Sequence, residues 1–109
     1  MLISTIEEIP GYTCTQALGI VSGNMVQSKN VGRDIGSGLK SLVGGELKAY
    51  TAMMGESRDI ATQRMLQQAE SVGADAVVCV RYASSAIMQG AAEVICYGTA
   101  VKLAPKTDK

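Results

Sequence analysis

The sequence predicts an α+β fold in which helices pack on one face of a mainly antiparallel sheet. Two early segments and two late segments are rich in Thr, Val and Ile, as strands are. Between them, apolar residues recur at a spacing of three and four, which is typical of an amphipathic helix. The predicted order is therefore β-β-helices-β-β. Since no linker interrupts the 109 residues, we expect one domain, residues 1–109.

The two early segments differ in length. Residues 2–9, "LISTIEEI", alternate weakly and stop at Pro10-Gly11, so they predict a short edge strand. Residues 12–28 predict one long strand, in which Gly19 and Gly23 mark bends or bulges.

The helical region begins near Val31 and has two phases. Ser57 is a candidate N-cap of the second phase, and Gly73 is a candidate C-cap. Two helices, or one helix bent at Gly55, fit the spacing equally well. The apolar positions of the first phase are Leu39, Leu42, Val43, Leu47, Tyr50, Met53 and Met54.

The last two predicted strands, residues 76–82 and 92–104, are joined by a flexible hairpin loop, "ASSAIMQGA". Neither alternate set of residues in these strands is clearly polar. A sheet covered by helices on one side only should alternate between apolar and polar residues. We therefore expect another copy of the chain to cover the second face, which makes the protein a homo-oligomer.

Composition excludes several partners. Ten basic and ten acidic residues cancel, so no basic excess indicates a nucleic-acid partner. No apolar run approaches the ~20 residues needed to span a membrane, and the N-terminus does not resemble a signal peptide. We expect a cytoplasmic protein with no membrane partner, in which Cys14, Cys79 and Cys96 are free thiols.

A glycine-rich stretch, "NVGRDIGSGLKSLVGG" at residues 30–45, raises the question of a phosphate loop. A Walker A loop needs glycine directly before its lysine, but Leu39 separates Gly38 from Lys40. The dinucleotide-binding pattern also fails, because serine stands where its third glycine belongs. We interpret the stretch as a strand-to-helix passage with close packing at Gly36 and Gly38.

Five segments in order, "LGIVSG", "NVGRD", "LKSLVGGELKAY", "GADAVVCV" and "YGTAVKL", resemble the YbjQ-like family. These are small bacterial and archaeal proteins often labelled as heavy-metal-binding, and the resemblance covers nearly the whole chain. It implies a subunit similar to that of dodecin, assembled into a closed ring of five. Residues that match the family signature are Asn30, Arg33, Asp34, Gly44, Gly45 and Tyr50.

The signature supplies candidate ligand-binding residues. Arg33 and Asp34, together with Asn30 and Tyr50, are candidates for a site at the rim of the ring. The alternative is structural: Asp34 complements the amides at a helix start, and Arg33 pairs with a neighbouring carboxylate.

Metal chemistry is restricted because the chain has no histidine. If the final hairpin turns near residues 87–88, Cys79 lies opposite Cys96, with Cβ atoms about 4.5–5.5 Å apart. These thiolates are candidate ligands for a soft divalent or heavy metal ion, to which other subunits could add donors. The alternative is that both cysteines are small buried hydrophobic residues. The resemblance implies small residues near both positions, so the family's metal label does not come from these cysteines.

Methionines at 53, 54, 65 and 88 are either soft donors or core residues.

Three functions remain. The first is a homo-oligomeric module that binds or stores a small ligand or a metal, and the second is a ring that serves as a platform for another protein. An enzyme fits least, because no general base with an orienting partner can be named. We also expect folding without any metal.

Overall fold

A mixed four-stranded sheet with one long helix on one face forms the part of the chain that the computed structural model describes, residues 1–28, 45–88 and 91–107. The sheet order is β1-β3-β4-β2; β1 runs parallel to β3, and the other pairs are antiparallel. The predicted α+β class is confirmed, with a single helix among the described residues. The elements are β1 (Leu2–Ile3), β2 (Tyr12–Ser28), α1 (Gly45–Ser71), β3 (Ala76–Met88) and β4 (Ala91–Pro105).

The long strand β2 has the predicted bounds. Its register with β4 shifts between Ala17 and Gly19, where Gly19 has a φ of 113°. This register shift confirms the predicted irregularity at Gly19. Glycine adopts this left-handed conformation without strain because it has no side chain. Gly23 has a different role: it pairs regularly with Cys96 and lies directly beneath α1.

The helix α1 continues through Gly55, so the alternative of two separate helices that meet there is wrong. The prediction that Ser57 is an N-cap is wrong. Ser57 is buried in the middle of α1, and its hydroxyl donates to the Met53 carbonyl one turn earlier, at 3.0 Å. The earlier part of the predicted helical region, residues 31–44, lies outside the described residues.

The predicted C-cap of α1 is confirmed. Gly73 has a φ of 80°, and its N–H donates to the Glu70 carbonyl at 3.0 Å. The N–H of Ala74 donates to the Ala69 carbonyl at 3.1 Å. These two bonds form a Schellman motif, which ends the helix and turns the chain into β3.

The main core lies between α1 and the sheet. Ala61, Met65 and Ala69 recur every fourth residue on α1 and are fully buried. The small alanines let the helix approach β2 and β4 closely, so the core is thin. The sheet side of this core consists of Val21, Val77, Val80, Val94, Cys96 and Ala100.

The N-terminal segment covers one end of the opposite face. The predicted short edge strand is present, but it spans only Leu2–Ile3 and not residues 2–9. The Ser4 hydroxyl accepts the Ile6 N–H at 3.0 Å. The segment stays bonded to β3, since the Cys79 N–H donates to the Ile6 carbonyl at 3.0 Å and the Val80 N–H donates to the Ser4 carbonyl at 2.9 Å. The segment then places Ile9 in a second buried cluster, which contains Ala76, Val78 and Val101. The chain itself therefore covers part of the face for which we expected another subunit.

The hairpin of β3 and β4 is longer than predicted. Residues 83–88 continue the ladder, from Ala83 opposite Ile95 to Met88 opposite Ala91, so the predicted loop over residues 83–91 is wrong. Backbone pairing to β4 holds this Ser- and Ala-rich segment extended despite its weak strand propensity. The molecule is consequently elongated, with extents of 63 × 24 × 15 Å and a radius of gyration of 17.9 Å, whereas a compact domain of this length has about 13 Å.

Candidate functional site

The residues that match the family signature are only partly described. Asn30, Arg33 and Asp34 lie outside the described residues, so the rim site remains a prediction. Tyr50 is half-buried on the first turns of α1.

The prediction that Cys79 lies opposite Cys96 is wrong. The ladder pairs Val78 with Thr99 and then Arg81 with Tyr97, so two residues of β3 face one residue of β4. This is a β-bulge, and Cys79 adopts a φ of 58° within it. Beyond the bulge the alternation of β3 is reversed, and Cys96 pairs with Tyr82.

The bulge places the two cysteines on opposite faces of the sheet. Cys79 packs against the cluster around Ile9, and Cys96 lies in the core under α1. The third thiol, Cys14, is exposed near the start of β2. The described residues therefore contain no thiol pair, and no group of three or more Cys, Asp or Glu side chains that could hold a metal ion.

One pair of sulfur atoms is nevertheless in contact. The Cys96 thiol donates to the thioether sulfur of Met65 at 3.5 Å, and both side chains are fully buried. Thiolate and thioether sulfur are the donors that soft metal ions such as Cu(I) prefer. The chemistry of this pair fits a soft ion with two protein donors, whereas a structural zinc site would need four.

An open cleft lies beside this core, at the side of α1 that faces β3. Its volume is about 140 Å³. It exists because α1 packs mainly against β2 and β4, so that no other described element covers the far half of β3 on this side. The lining residues are Met54, Arg58, Tyr82, Ala83, Ser84 and Val94.

Hydrogen bonds fix one wall of the cleft. The Thr62 hydroxyl donates to the Arg58 carbonyl at 2.7 Å, so the Tyr82 hydroxyl, 2.9 Å away, must donate to Thr62. The phenol ring is thereby held against α1. Its proton is committed to Thr62, so Tyr82 offers the cleft an aromatic surface and an acceptor oxygen.

The guanidinium of Arg58 supplies the positive charge of the cleft. Two other arginines bond to carbonyls: Arg64 to Asn24 at 2.8 Å and Arg81 to Thr5 at 2.7 Å. Within residues 1–28, 45–88 and 91–107, by contrast, Arg58 has neither a carboxylate within ion-pair distance nor an acceptor for its side chain. The described part of the chain therefore leaves the charge of Arg58 available to a ligand.

Sequence reasoning did not identify Arg58, Tyr82 and Ser84 as a group. The alternation of β3 assigned Tyr82 to the same face as Val78, and the bulge separates them. Because a cysteine occupies the left-handed position of the bulge, no glycine marks it in the sequence.

The sheet face away from α1 is called the outer face, defined by Ile20, Val26, Ile95 and Tyr97. Apolar side chains stand open on it: Ile20 is 80% exposed, Val26 is 53% exposed and Tyr97 is 41% exposed. The N-terminal segment covers only the end near Val101. The rest of the outer face has no cover within the described part of the chain.

The free edge of β2 is partly capped by α1. The Gln68 side-chain oxygen accepts the Ser22 N–H at 2.7 Å, and Arg64 donates to the Asn24 carbonyl at 2.8 Å. These bonds occupy backbone groups that would otherwise pair with another strand. The capping leaves the outer face, rather than the middle of this edge, as the open surface.

In the part of the chain that the structure describes, these features define a class: a small α+β domain with one helix on a mixed sheet and a second sheet face that is largely open and carries apolar side chains. The chain belongs to the YbjQ_1 family, described as "Putative heavy-metal-binding", whose model matches residues 1–104. This family carries no enzymatic name. Among the described residues, no helix is both long and apolar enough to cross a membrane.

Relatives in two bacteria match almost end to end. A UPF0145 protein of Thermotoga maritima is 57% identical over 103 residues, which cover 94% of this chain and 97% of that protein. Another from Thermus thermophilus is 51% identical over 109 residues, or 100% of this chain and 96% of that protein.

A solved structure supports the fold. A crystal structure of a protein of unknown function from Pediococcus pentosaceus, of the DUF74 family, superposes with a TM-score of 0.68. The two sequences are 19% identical, and the match covers 95% of this chain and 98% of the Pediococcus chain. At that identity the likeness shows the fold alone.

Proposed function

We propose that this protein is a non-enzymatic binding module that works as a homo-oligomer. The observation that carries the proposal is the outer face, where Ile20, Val26 and Tyr97 stand exposed on an elongated subunit. Several large apolar side chains exposed on one face of a sheet support an association surface, here with the hydrogen-bonded Asn24–Glu93 pair among them. A second copy of the chain is the simplest partner.

The expected gain from association is large. If each subunit buries about 400 Å² of apolar surface, the hydrophobic contribution is on the order of 10 kcal/mol before association costs. The edges of the sheet favour closure: β2 is an edge strand, and the N-terminal segment bonds to the backbone of β3 only as far as Val80 among the described residues. A ring would bury or pair both edges, and the family resemblance sets the expected number of subunits at five.

Light scattering and native mass spectrometry at micromolar concentration test the assembly. We expect about five times the 11.4 kDa subunit mass. A stable monomer would contradict the homo-oligomer, and a tetramer or hexamer would contradict only the number of subunits.

The ligand that we propose for this module is a soft metal ion, on the basis of the Met65–Cys96 contact. On binding, the Cys96 thiol would release its proton to solvent and coordinate as a thiolate, with the Met65 thioether as second donor. Both sulfur atoms are in the core, so access requires α1 to move away from the sheet.

A titration with Ag(I) tests this ligand. The background is the Cys14→Ser, Cys79→Ser variant, because the exposed Cys14 thiol would bind silver by itself. We expect one ion per chain and a loss of affinity of at least about tenfold in Met65→Leu. Met53→Leu removes another buried thioether and is the matched control. Equal affinity in the Met65→Leu and parent proteins would remove Met65 from the site.

The alternative is a ring that serves as a platform for another protein, and an enzyme is the least supported function. The three free thiols of the chain favour a reducing compartment such as the cytoplasm. A platform would bind a protein partner through its assembled surface without taking up any metal. The silver titration therefore distinguishes a platform from a metal-binding module.

A further inference from the structure

We infer that the cleft between α1 and the β3–β4 hairpin binds a small organic carboxylate with an apolar body about the size of a benzene ring. The site goes beyond the proposed assembly and metal binding. It lies on the helix side of the sheet, away from the outer face, and it does not include Met65 or Cys96.

The charge of the cleft selects an anion. Arg58 lines it with a guanidinium that has no carboxylate partner among the described residues, whereas Arg64 and Arg81 are committed to carbonyl oxygens. A guanidinium presents paired N–H donors that match the two oxygens of a carboxylate. The Ser84 hydroxyl, also in the lining, adds a neutral donor from the opposite wall.

The other walls select an apolar body. Met54 lies one turn before Arg58 on α1, and Val94 forms the floor on β4. The Tyr82 ring closes one side and is held in place by its bond to Thr62 at 2.9 Å. A site with apolar walls and a few placed polar groups is the usual form of a small-ligand site.

Volume limits the size of the ligand. The cleft measures about 140 Å³, and an apolar cavity of about 150 Å³ accommodates benzene. A ligand of the benzoate type therefore places its ring between Met54, Tyr82 and Val94 and its carboxylate at Arg58. Because the cleft is open to solvent on one side, we expect a dissociation constant on the order of 1 mM.

The probe for the test is benzoate, added to the wild-type protein and followed by amide chemical shifts in NMR spectra. We expect saturable shifts at Ser84, Val94 and the Arg58 turn of α1. Benzyl alcohol, which has the ring without the charge, should bind at least about tenfold more weakly. Inorganic phosphate, which has charge without the ring, should also bind more weakly.

Variants assign the site. Arg58→Gln should weaken benzoate binding at least about tenfold, and Ser84→Ala should weaken it less. Arg64→Gln is the matched control, since it removes the same charge from the same helix outside the cleft and should leave affinity unchanged. Both Arg58 and Ser84 are exposed, so we expect these variants to fold, and circular dichroism verifies this.

Three results would overturn the inference: no saturable shifts with benzoate, equal binding of benzoate and benzyl alcohol, or unchanged affinity in Arg58→Gln. Light scattering on the same samples reports the oligomeric state independently. Failure of the carboxylate site is therefore distinguishable from failure of the proposed assembly.

Discussion

Gly23 of β2 lies against the backbone of Met65 in α1, so closely that no side chain fits at residue 23. A Cβ atom there would overlap the Met65 amide nitrogen and the Ala61 carbonyl oxygen, and would lie 2.7 Å from the Cβ atom of Arg64. These atoms belong to the backbone or to the root of a side chain, so they cannot move unless α1 moves. Gly23 therefore sets the distance between the helix and the sheet.

We expect Gly23→Ala to lower the free energy of unfolding by about 3 kcal/mol, at the upper end of the usual cost of overpacking. Urea denaturation followed by circular dichroism measures this, at one fixed protein concentration because association contributes to stability.

Ser22→Ala is the control for Gly23, because the exposed neighbouring side chain is removed while the bond from its N–H to Gln68 remains. We expect a change within about 0.5 kcal/mol for this variant. If Gly23→Ala were equally mild, α1 would not be held against β2 as described.

The left-handed conformation at Gly73 gives a second prediction. No atom lies within 4 Å of a Cβ built at Gly73, so the cost of Gly73→Ala is backbone strain alone, about 1–2 kcal/mol. Gly73→Asn should cost less, because asparagine tolerates this region better. Thermal and urea denaturation of the two variants measure the difference.

Gly55→Ala is the contrasting substitution. Gly55 lies inside α1, and the atom nearest to a Cβ placed on it is an Arg58 guanidinium nitrogen at 3.8 Å. We expect stabilisation of up to about 1 kcal/mol, since alanine has the better helix propensity. Thermal denaturation measures this change. A destabilised Gly55→Ala protein would indicate a break in the helix at this residue.

A charge on the outer face should dissociate the proposed assembly. Ile20→Lys and Val26→Lys each place an ammonium group among exposed apolar side chains, where burial against a second copy would strip its water. We expect both variants to shift toward the monomer in light scattering.

Gln67→Lys is the control for the outer face, because Gln67 is exposed on α1, on the other side of the sheet. It should leave the mass unchanged. Assembly that persists in both outer-face variants would place the interface elsewhere.

Removal of metal should not unfold the protein. The described residues contain no closed structural metal site, and the core under α1 is formed by apolar side chains. We expect the same far-ultraviolet circular dichroism and the same thermal midpoint with and without a chelator. A thermal midpoint that falls on chelation, and returns when a metal is added back, would contradict this prediction.

Local rules predicted some elements well. The bounds of β2 and the cap at Gly73 depend on residue types within a few positions of each other, so local sequence patterns were enough to predict them. The same rules failed at residues 83–88, whose Ser and Ala residues indicate a loop. Their extended conformation depends on pairing with β4, a partner that local propensity does not include.

The candidate sites were less predictable than the fold. The expected Cys79–Cys96 pair required uninterrupted alternation along β3, and one extra residue in the bulge moved Tyr82 and Val80 to the helix side. The contact of Met65 with Cys96 and the cleft at Arg58 both join α1 to strands that are distant in sequence. No spacing in the sequence encodes such meetings.

Periodicity, turn chemistry and motif order were enough to predict the α+β class, the long strand β2, the end of α1 and the resemblance to the family. Which side chains meet depends instead on how elements distant in sequence pack against one another. The bulge at Cys79 turns Val80 and Tyr82 toward the helix side, and the absence of a side chain at Gly23 lets α1 lie close to β2. Because α1 packs mainly against β2 and β4, a cleft remains beside Tyr82. The apolar outer face around Ile20 is on the other side of the sheet, where no helix of the described residues packs.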